Sequence, residues 1–271
     1  MASLLYAAAS PPIAILNREG KGGVVLLCEH ASNYIPAGYD RLGLTPADLD
    51  RHIAWDIGAQ AVAEQLAVIL DAPLAYATHS RLLLDLNRHP DAPDSIATLS
   101  EDTAIPGNLE VSAIERRLRG DWLYAPFHAG VDALIDQRLA FGLATVVVSI
   151  HSFTPVYLGV PRPWQVGVLG ARDRRLADAW LAALRADPTL TVGDNQPYAP
   201  RDGVYHSLDR HGERRGLPSA MIELRNDLIT DAVGQREWAA RLGDTLHQAL
   251  AGLPSAGTAP LRRRSPEVQS N

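Results

Sequence analysis

The sequence predicts an α/β fold in which helices cover both faces of a mostly parallel or mixed sheet. Three observations predict it. Short apolar, β-branched runs recur along the chain, and segments of helical periodicity separate them. Hydrophobic residues make up 46% of the 271 positions, enough to bury a large core without disulfides.

The elements follow in order. Strands are expected at "GVVLLCE" (23–29), "APLAYATHS" (72–80), "ATVVVSIH" (144–151), "WQVGVLG" (164–170) and "SAMIELR" (219–225). Helices are expected at "DIGAQAVAEQLAVILD" (56–71), "GDWLYAPFHAGVDALIDQRLA" (120–140), "RDRRLADAWLAALRAD" (172–187) and "QREWAARLGDTLHQALAGL" (235–253). The stretch 87–108 is rich in Pro, Asp and Ser without periodicity, and reads as a long loop of the kind that covers an active site. A second irregular stretch, 192–218, precedes the last strand. One domain is expected over residues 1–253, followed by a disordered tail over 254–271 that carries Arg262, Arg263 and Arg264.

Composition narrows the partners. A net charge of −6 and a pI near 5.8 argue against nucleic acid, which favours a strongly basic surface. No apolar stretch reaches the ~18 residues of a membrane span, and the first residues lack the basic region of a secretory signal. Cys28 is the lone cysteine, so neither an intrachain disulfide nor a multi-cysteine zinc site can form. A reducing cytoplasm is the expected compartment, with Cys28 a buried spectator.

Chemistry concentrates where strands end. The first strand runs out at His30, the second at His79, Ser80 and Arg81, the third at His151 and Ser152, and the last at Glu223 and Arg225. In open α/β sheets the carboxyl ends of the strands form the ligand crevice. Two neutral imidazoles, one carboxylate and an open position describe a catalytic zinc site, and an unligated Glu beside it describes a general base. His30 and His151 are the expected ligands because each closes a long apolar run and is followed by small polar residues. For His79, His89, His128, His206, His211 and His247 an ordinary hydrogen-bonded role is expected. Glu29 precedes His30 and, if the strand extends that far, points to the opposite face, so it is expected to support the site from behind.

In "LDRHIAWDIGA" (49–59), Asp56 suits either a helix N-cap or a metal ligand, and His52 is the weaker metal candidate. Arginine presents a planar fork suited to carboxylates, which makes Arg81 and Arg88 candidates for an anionic substrate. Arg81 with Asp85, or Arg225 with Asp227, could equally form internal ion pairs.

Taken together, "CEHASNYIP", "LDRHIAWDIGA", "SRLLLDLNR", "YAPFHAGVD", "SIHSFTP" and "IELRNDLI" resemble the N-formylglutamate amidohydrolase family, in order from about residue 23 to 230. The resemblance implies a three-layer α/β/α sandwich with a mixed central sheet, of the phosphorylase/hydrolase-like class shared by zinc carboxypeptidases and aspartoacylases. In those relatives a His-x-x-Glu pair and a distant His bind zinc, an Asn-Arg pair holds the substrate carboxylate, and a late Glu is the base. Carried over, this implies His30 and His151 as ligands of Zn2+ or another divalent metal, Asn87 and Arg88 as the carboxylate pair, and Glu223 as the base. Arg81 is expected to stabilise an oxyanion or a carboxylate, and Arg225 the side-chain carboxylate. Asn33 stands where the Glu of His-x-x-Glu would be. An amide is a poor zinc ligand, so either Asp56 replaces that carboxylate or the site is weaker than in the relatives, and Asn33 is counted on the substrate side.

The implied reaction is metal-dependent hydrolysis of N-formyl-L-glutamate to formate and glutamate, the partner being a small anionic N-acyl amino acid. Its rivals are hydrolysis of another N-acyl acidic amino acid or a γ-glutamyl amide, and metal-free binding of an acidic metabolite without turnover. A serine hydrolase lacks its Gly-x-Ser-x-Gly elbow here, and no glycine-rich phosphate loop follows the first strand.

Overall fold

A computed structural model of the chain describes residues 10–253, so the tail expected from Pro254 lies outside the described residues. Its strands are β1 Ile13–Leu16, β2 Val24–Cys28, β3 Leu74–Ala77, β4 Leu99–Ser100, β5 Thr103–Ala104, β6 Val146–Phe153, β7 Val156–Tyr157, β8 Val160–Pro161, β9 Val166–Leu169, β10 Val192–Asp194 and β11 Ser219–Arg225. The helices are α1 Pro46–Leu49, α2 Ala59–Ile69, α3 Ala113–Arg119, α4 Ala125–Ala140, α5 Arg175–Arg185, α6 His206–His211 and α7 Ala232–Ala251.

Seven strands form one sheet in the order β1-β3-β2-β6-β11-β9-β10. The inner four, β3, β2, β6 and β11, are parallel, which carries their carboxyl ends to one edge. β1 runs antiparallel to β3, and β9 antiparallel to β11, so the sheet is mixed as expected. Inner strands of such a sheet are covered on both faces and read as continuous apolar runs. That is why "VVLLC" of β2 is buried at every position.

The pleat sorts β2 and β6 between two cores. Val24, Leu26, Cys28, Val146, Val148 and Ile150 face α2, α5 and α7. Val25, Leu27 and Val147 face α4, through Phe127, Val131, Leu134 and Ile135. Each fully buried Val, Leu or Ile contributes about 1.5–3 kcal/mol. Helix α7 presents Trp238, Leu242, Leu246 and Ala249, one or two turns apart on one stripe, and Asp231 caps it by accepting from the amides of Val233 and Gly234.

Boundaries differ from expectation in two instructive places. The helix expected at 120–140 starts earlier: α3 and α4 are joined through a π-helical turn at Gly120–Tyr124. The loop 87–108 contains the β4–β5 hairpin, whose two-residue strands are too short to show alternation.

Candidate active site

The inner strands deliver the expected residues to one cleft of about 260 Å³, lined among others by His30, Asp56, Arg81, Asp85, His151 and Glu223. His151 and Glu223 are register partners on β6 and β11 and project from the same edge. His30 follows directly on β2. The loop carrying Asp56 is pinned to this edge at several points: the Asp56 amide donates to His30 O (2.9 Å), Ser152 Oγ to Ile57 O (2.9 Å) and Ser80 Oγ to Ala54 O (2.8 Å). Gly58 closes the loop at φ 79°, where a Cβ would come within 2.3 Å of Ile229 O. It is also the N-cap of α2, so the Asp56 side chain is free for other work.

That work is done at the two histidines. Asp56 Oδ2 lies 2.8 Å from His151 Nδ1 and 3.4 Å from His30 Nδ1. The opposite nitrogen of each ring is held by another carboxylate: His30 Nε2 by Asp85 Oδ1 at 2.7 Å, and His151 Nε2 by Glu29 Oε2 at 3.2 Å, with Ser149 Oγ at 2.8 Å. Ser149 also donates to Glu29 at 2.6 Å.

His30, Asp56 and His151 can hold a metal ion. They are buried, and their ligand atoms lie within 4.8 Å of one another. The donor chemistry fits: two imidazoles and a carboxylate leave positions open for water and substrate, and each ring is oriented from behind by a carboxylate. Charge fits as well. Four buried carboxylates, Glu29, Asp56, Asp85 and Glu223, face Arg81, Arg88 (3.8 Å from Asp85) and two imidazoles, an acidic excess that a cation balances once the imidazoles are neutral, as ligation requires.

The electrostatics follow from these contacts. Burial alone would raise the Glu29 carboxyl, but bonds from His151 and Ser149 hold it down at about 2. Asp85 is buried too, yet the Arg81 guanidinium beside it keeps it well below the usual range. Burial opposes a charge on His151, and its bonds to Asp56 and Glu29 outweigh that and raise it well above its ordinary value. Glu223 behaves differently. Its Oε2 is buried without a hydrogen-bond partner, and burial pushes its carboxyl up to about 7.

The remaining expected residues divide. Arg81 spans Asp85 (2.6 Å) and Asp56 (3.5 Å), at once in the cleft and in an internal ion pair. Asn87 and Arg88 line the cleft. Asn87 is braced at both ends of its amide, by Val204 O and the Ser207 amide, and Arg88 reaches Asp94 at 2.6 Å. Asn33 and Arg225 are not among the cleft-lining residues: Asn33 donates to Leu49 O, and Arg225 pairs with Asp227 at 2.8 Å. His52 lines the cleft but pairs with Glu101 at 2.9 Å, outside the metal-binding group. The loop 87–108 contributes Asp94, Ala97, Leu99, Ser100 and Glu101 to the walls.

Sequence reasoning missed Ser149, Asp85 as the partner of His30, and Tyr198. A signal existed for Ser149: it lies two residues before His151 on one strand and so shares its face. Tyr198 reaches the cleft through a loop that approaches Gly167 and Gly193 closely: a Cβ would sit 1.9 Å from Gln196 O at the first and 2.8 Å from it at the second.

Known proteins resemble this chain in family and in fold. The family model for N-formylglutamate amidohydrolase matches residues 22–230. The crystal structure of a gene product from Agrobacterium tumefaciens superposes with a TM-score of 0.88 at 45% identity, covering 89% of this chain and 96% of that one. The structure of an N-formylglutamate amidohydrolase from Ralstonia eutropha has the same fold, with a TM-score of 0.66 at 21% identity over 89% of this chain and 98% of that one. A search of the curated proteins finds no match.

Proposed function

The chain belongs to the N-formylglutamate amidohydrolase family and is a hydrolase acting on C–N bonds; from that premise we propose that it hydrolyses N-formyl-L-glutamate to formate and L-glutamate. The observation that carries the reading is the buried convergence of His30, Asp56 and His151 beside a partnerless Glu223 carboxylate oxygen. The proposed cofactor is Zn2+, whose preference for imidazole and carboxylate matches the donor set. When bound there, such a cation supplies Lewis acidity toward a carbonyl oxygen and acidifies water.

The chain's own residues do the rest. His30, Asp56 and His151 hold the cation, and Asp85 and Glu29 fix the two rings. Glu223 is the general base: its buried, unpartnered Oε2 accepts a proton from water and passes it to the departing amide nitrogen. Burial keeps competing solvent bonds off its free oxygen. Arg81, held by Asp85, presents its guanidinium to the formyl oxygen, where the oxyanion develops as water adds to the formyl carbon. Arg88 takes the α-carboxylate, exchanging its partner Asp94, while the braced Asn87 sets the loop from which it reaches. The single buried cysteine supports a reducing cytoplasm as the compartment.

The test is formate release from N-formyl-L-glutamate by the zinc-supplemented protein, with a chelator control and with His151→Ala. Turnover that depends on metal and is lost in the variant is expected. A zinc-loaded protein that releases no formate removes the substrate assignment, and turnover unaffected by complete metal removal removes the cofactor.

A further inference from the structure

The arginines expected to meet an anionic substrate are all neutralised within the chain. Arg81 pairs with Asp85 and Asp56, Arg88 with Asp94, and Arg225 with Asp227. Arg162 is different. It is not itself among the cleft-lining residues, but its guanidinium forms no ion pair among the described residues, and three aromatic rings of the cleft wall surround it. The carbon of the guanidinium lies 4.5 Å from the Tyr157 ring centroid, 4.8 Å from that of Tyr198 and 5.9 Å from that of Phe153. Aromatic faces hold a cation without cancelling its charge.

The cage also orients the fork. Nη1 donates to the Tyr198 hydroxyl at 3.0 Å, which leaves the Nε–Nη2 edge without an acceptor among the described residues. Two parallel N–H groups on that edge match the two oxygens of a carboxylate. The backbone supports the placement. Arg162 follows a tight hairpin, β7–β8, whose turn residues Leu158 and Gly159 both have positive φ, and its amide returns to Pro155 O at 2.8 Å.

Position relative to the reacting centre is set by β6. His151 and Phe153 lie two residues apart on one face, a separation of about 7 Å along a strand, and Tyr198 is close enough to Glu223 and Arg81 to feel both charges. An extended N-acylglutamate, measured from its acyl carbon to its side-chain carboxylate, is comparable in length with that interval. Resting on the reading of this cleft as an N-acyl amino acid site, we infer that Arg162, in its cage of Phe153, Tyr157 and Tyr198, binds the side-chain carboxylate and selects dicarboxylic over neutral substrates. Arg162 is thereby a specificity residue, in place of Arg225.

The experiment is calorimetric binding of N-acetyl-L-glutamate and N-acetyl-L-glutamine, which differ only in that carboxylate, to wild type, Arg162→Met and Arg162→Lys. Wild type is expected to prefer the dicarboxylate. Arg162→Met should weaken it by about 10- to 100-fold, the scale of a charge-assisted pair, and leave the amide ligand within about 2-fold. Arg162→Lys, with charge but no fork, should fall between. Equal affinities in wild type, a preference that survives in Arg162→Met, or equal loss of both ligands overturns the inference, the last result marking a merely structural role. Formate release from N-formyl-L-glutamate is followed in parallel. The expected binding pattern without formate removes N-formyl-L-glutamate as the substrate and leaves Arg162 in place; formate release with an unaltered preference in Arg162→Met does the reverse.

Discussion

His151 Nδ1 lies 2.8 Å from Asp56 Oδ2, and this contact joins β6 to a loop 95 residues earlier in the chain. Asp56 also reaches His30 and accepts from the Ser152 amide at 3.3 Å, so it is the one side chain through which both histidines and a strand end are coupled. Asp56→Asn keeps the shape and removes the charge. Zinc bound per chain, measured after equilibrium dialysis, should fall from equimolar in wild type to a small fraction in the variant. Equimolar zinc in Asp56→Asn would sink the ligand assignment.

Behind His151, Glu29 and Ser149 form a closed arrangement in which Ser149 donates to Glu29 and both meet the same imidazole nitrogen. Removing a carboxylate that orients a ligating histidine costs about 10- to 100-fold in metal affinity. Glu29→Gln is expected to show that loss in a competition titration against a zinc chelator. Ser149→Ala leaves Glu29 with one donor fewer, and should lower unfolding free energy by about 1–3 kcal/mol in urea titration. A variant pair indistinguishable from wild type in both assays would show that the rings are fixed by packing alone.

Glu223 separates metal binding from proton transfer. It lies outside the group that can hold the ion, and its Oε2 has no partner to lose. Glu223→Gln is therefore expected to keep its zinc while kcat for formate release drops by about 10²- to 10⁴-fold, the range of general-base catalysis. Loss of zinc together with activity would point to a ligand; near-normal kcat would return the base to another group.

Much of this arrangement was legible in the strand ends. Continuous apolar runs located β2, β3, β6, β9 and β11, and the position of His30 and His151 at the ends of two of them predicted their meeting, because parallel inner strands share a carboxyl edge. Asp56 was legible only as an alternative, since a helix cap and a ligand look alike until the cap is seen to be Gly58. The direction of β9 was not legible, because one strand's pattern is the same whichever way its neighbour runs. Ion pairing was legible only as an alternative for Arg81 with Asp85 and Arg225 with Asp227, and not at all for Arg88 with Asp94, because a paired arginine and a substrate group look alike until their distances are known. Arg162, with no motif around it, gains its meaning from rings contributed by residues 153, 157 and 198.

His79 offers a pH dependence from outside the metal-binding group. Thr78 Oγ1 donates its proton to Pro11 O at 2.6 Å, so at 2.8 Å from His79 Nδ1 it can only accept, which fixes the neutral tautomer with the proton on Nδ1. Nε2 is then bare, buried without a partner, with the Trp122 ring 4.9 Å away edge-on. Burial lowers the imidazole to about 4, because protonation would create a buried N–H with no acceptor. The folded value lies below the unfolded one of about 6.5, so between about 4 and 6.5 the unfolded chain binds more protons, and stability rises with pH through that window. Stability from this group is complete above pH ~6.5 and is lost as pH falls toward 4. The urea midpoint of the wild type should therefore decline between pH 7.5 and 5, and the decline should be shallower in His79→Phe, which cannot be protonated. Parallel declines in the two proteins would place the acid sensitivity elsewhere in the chain.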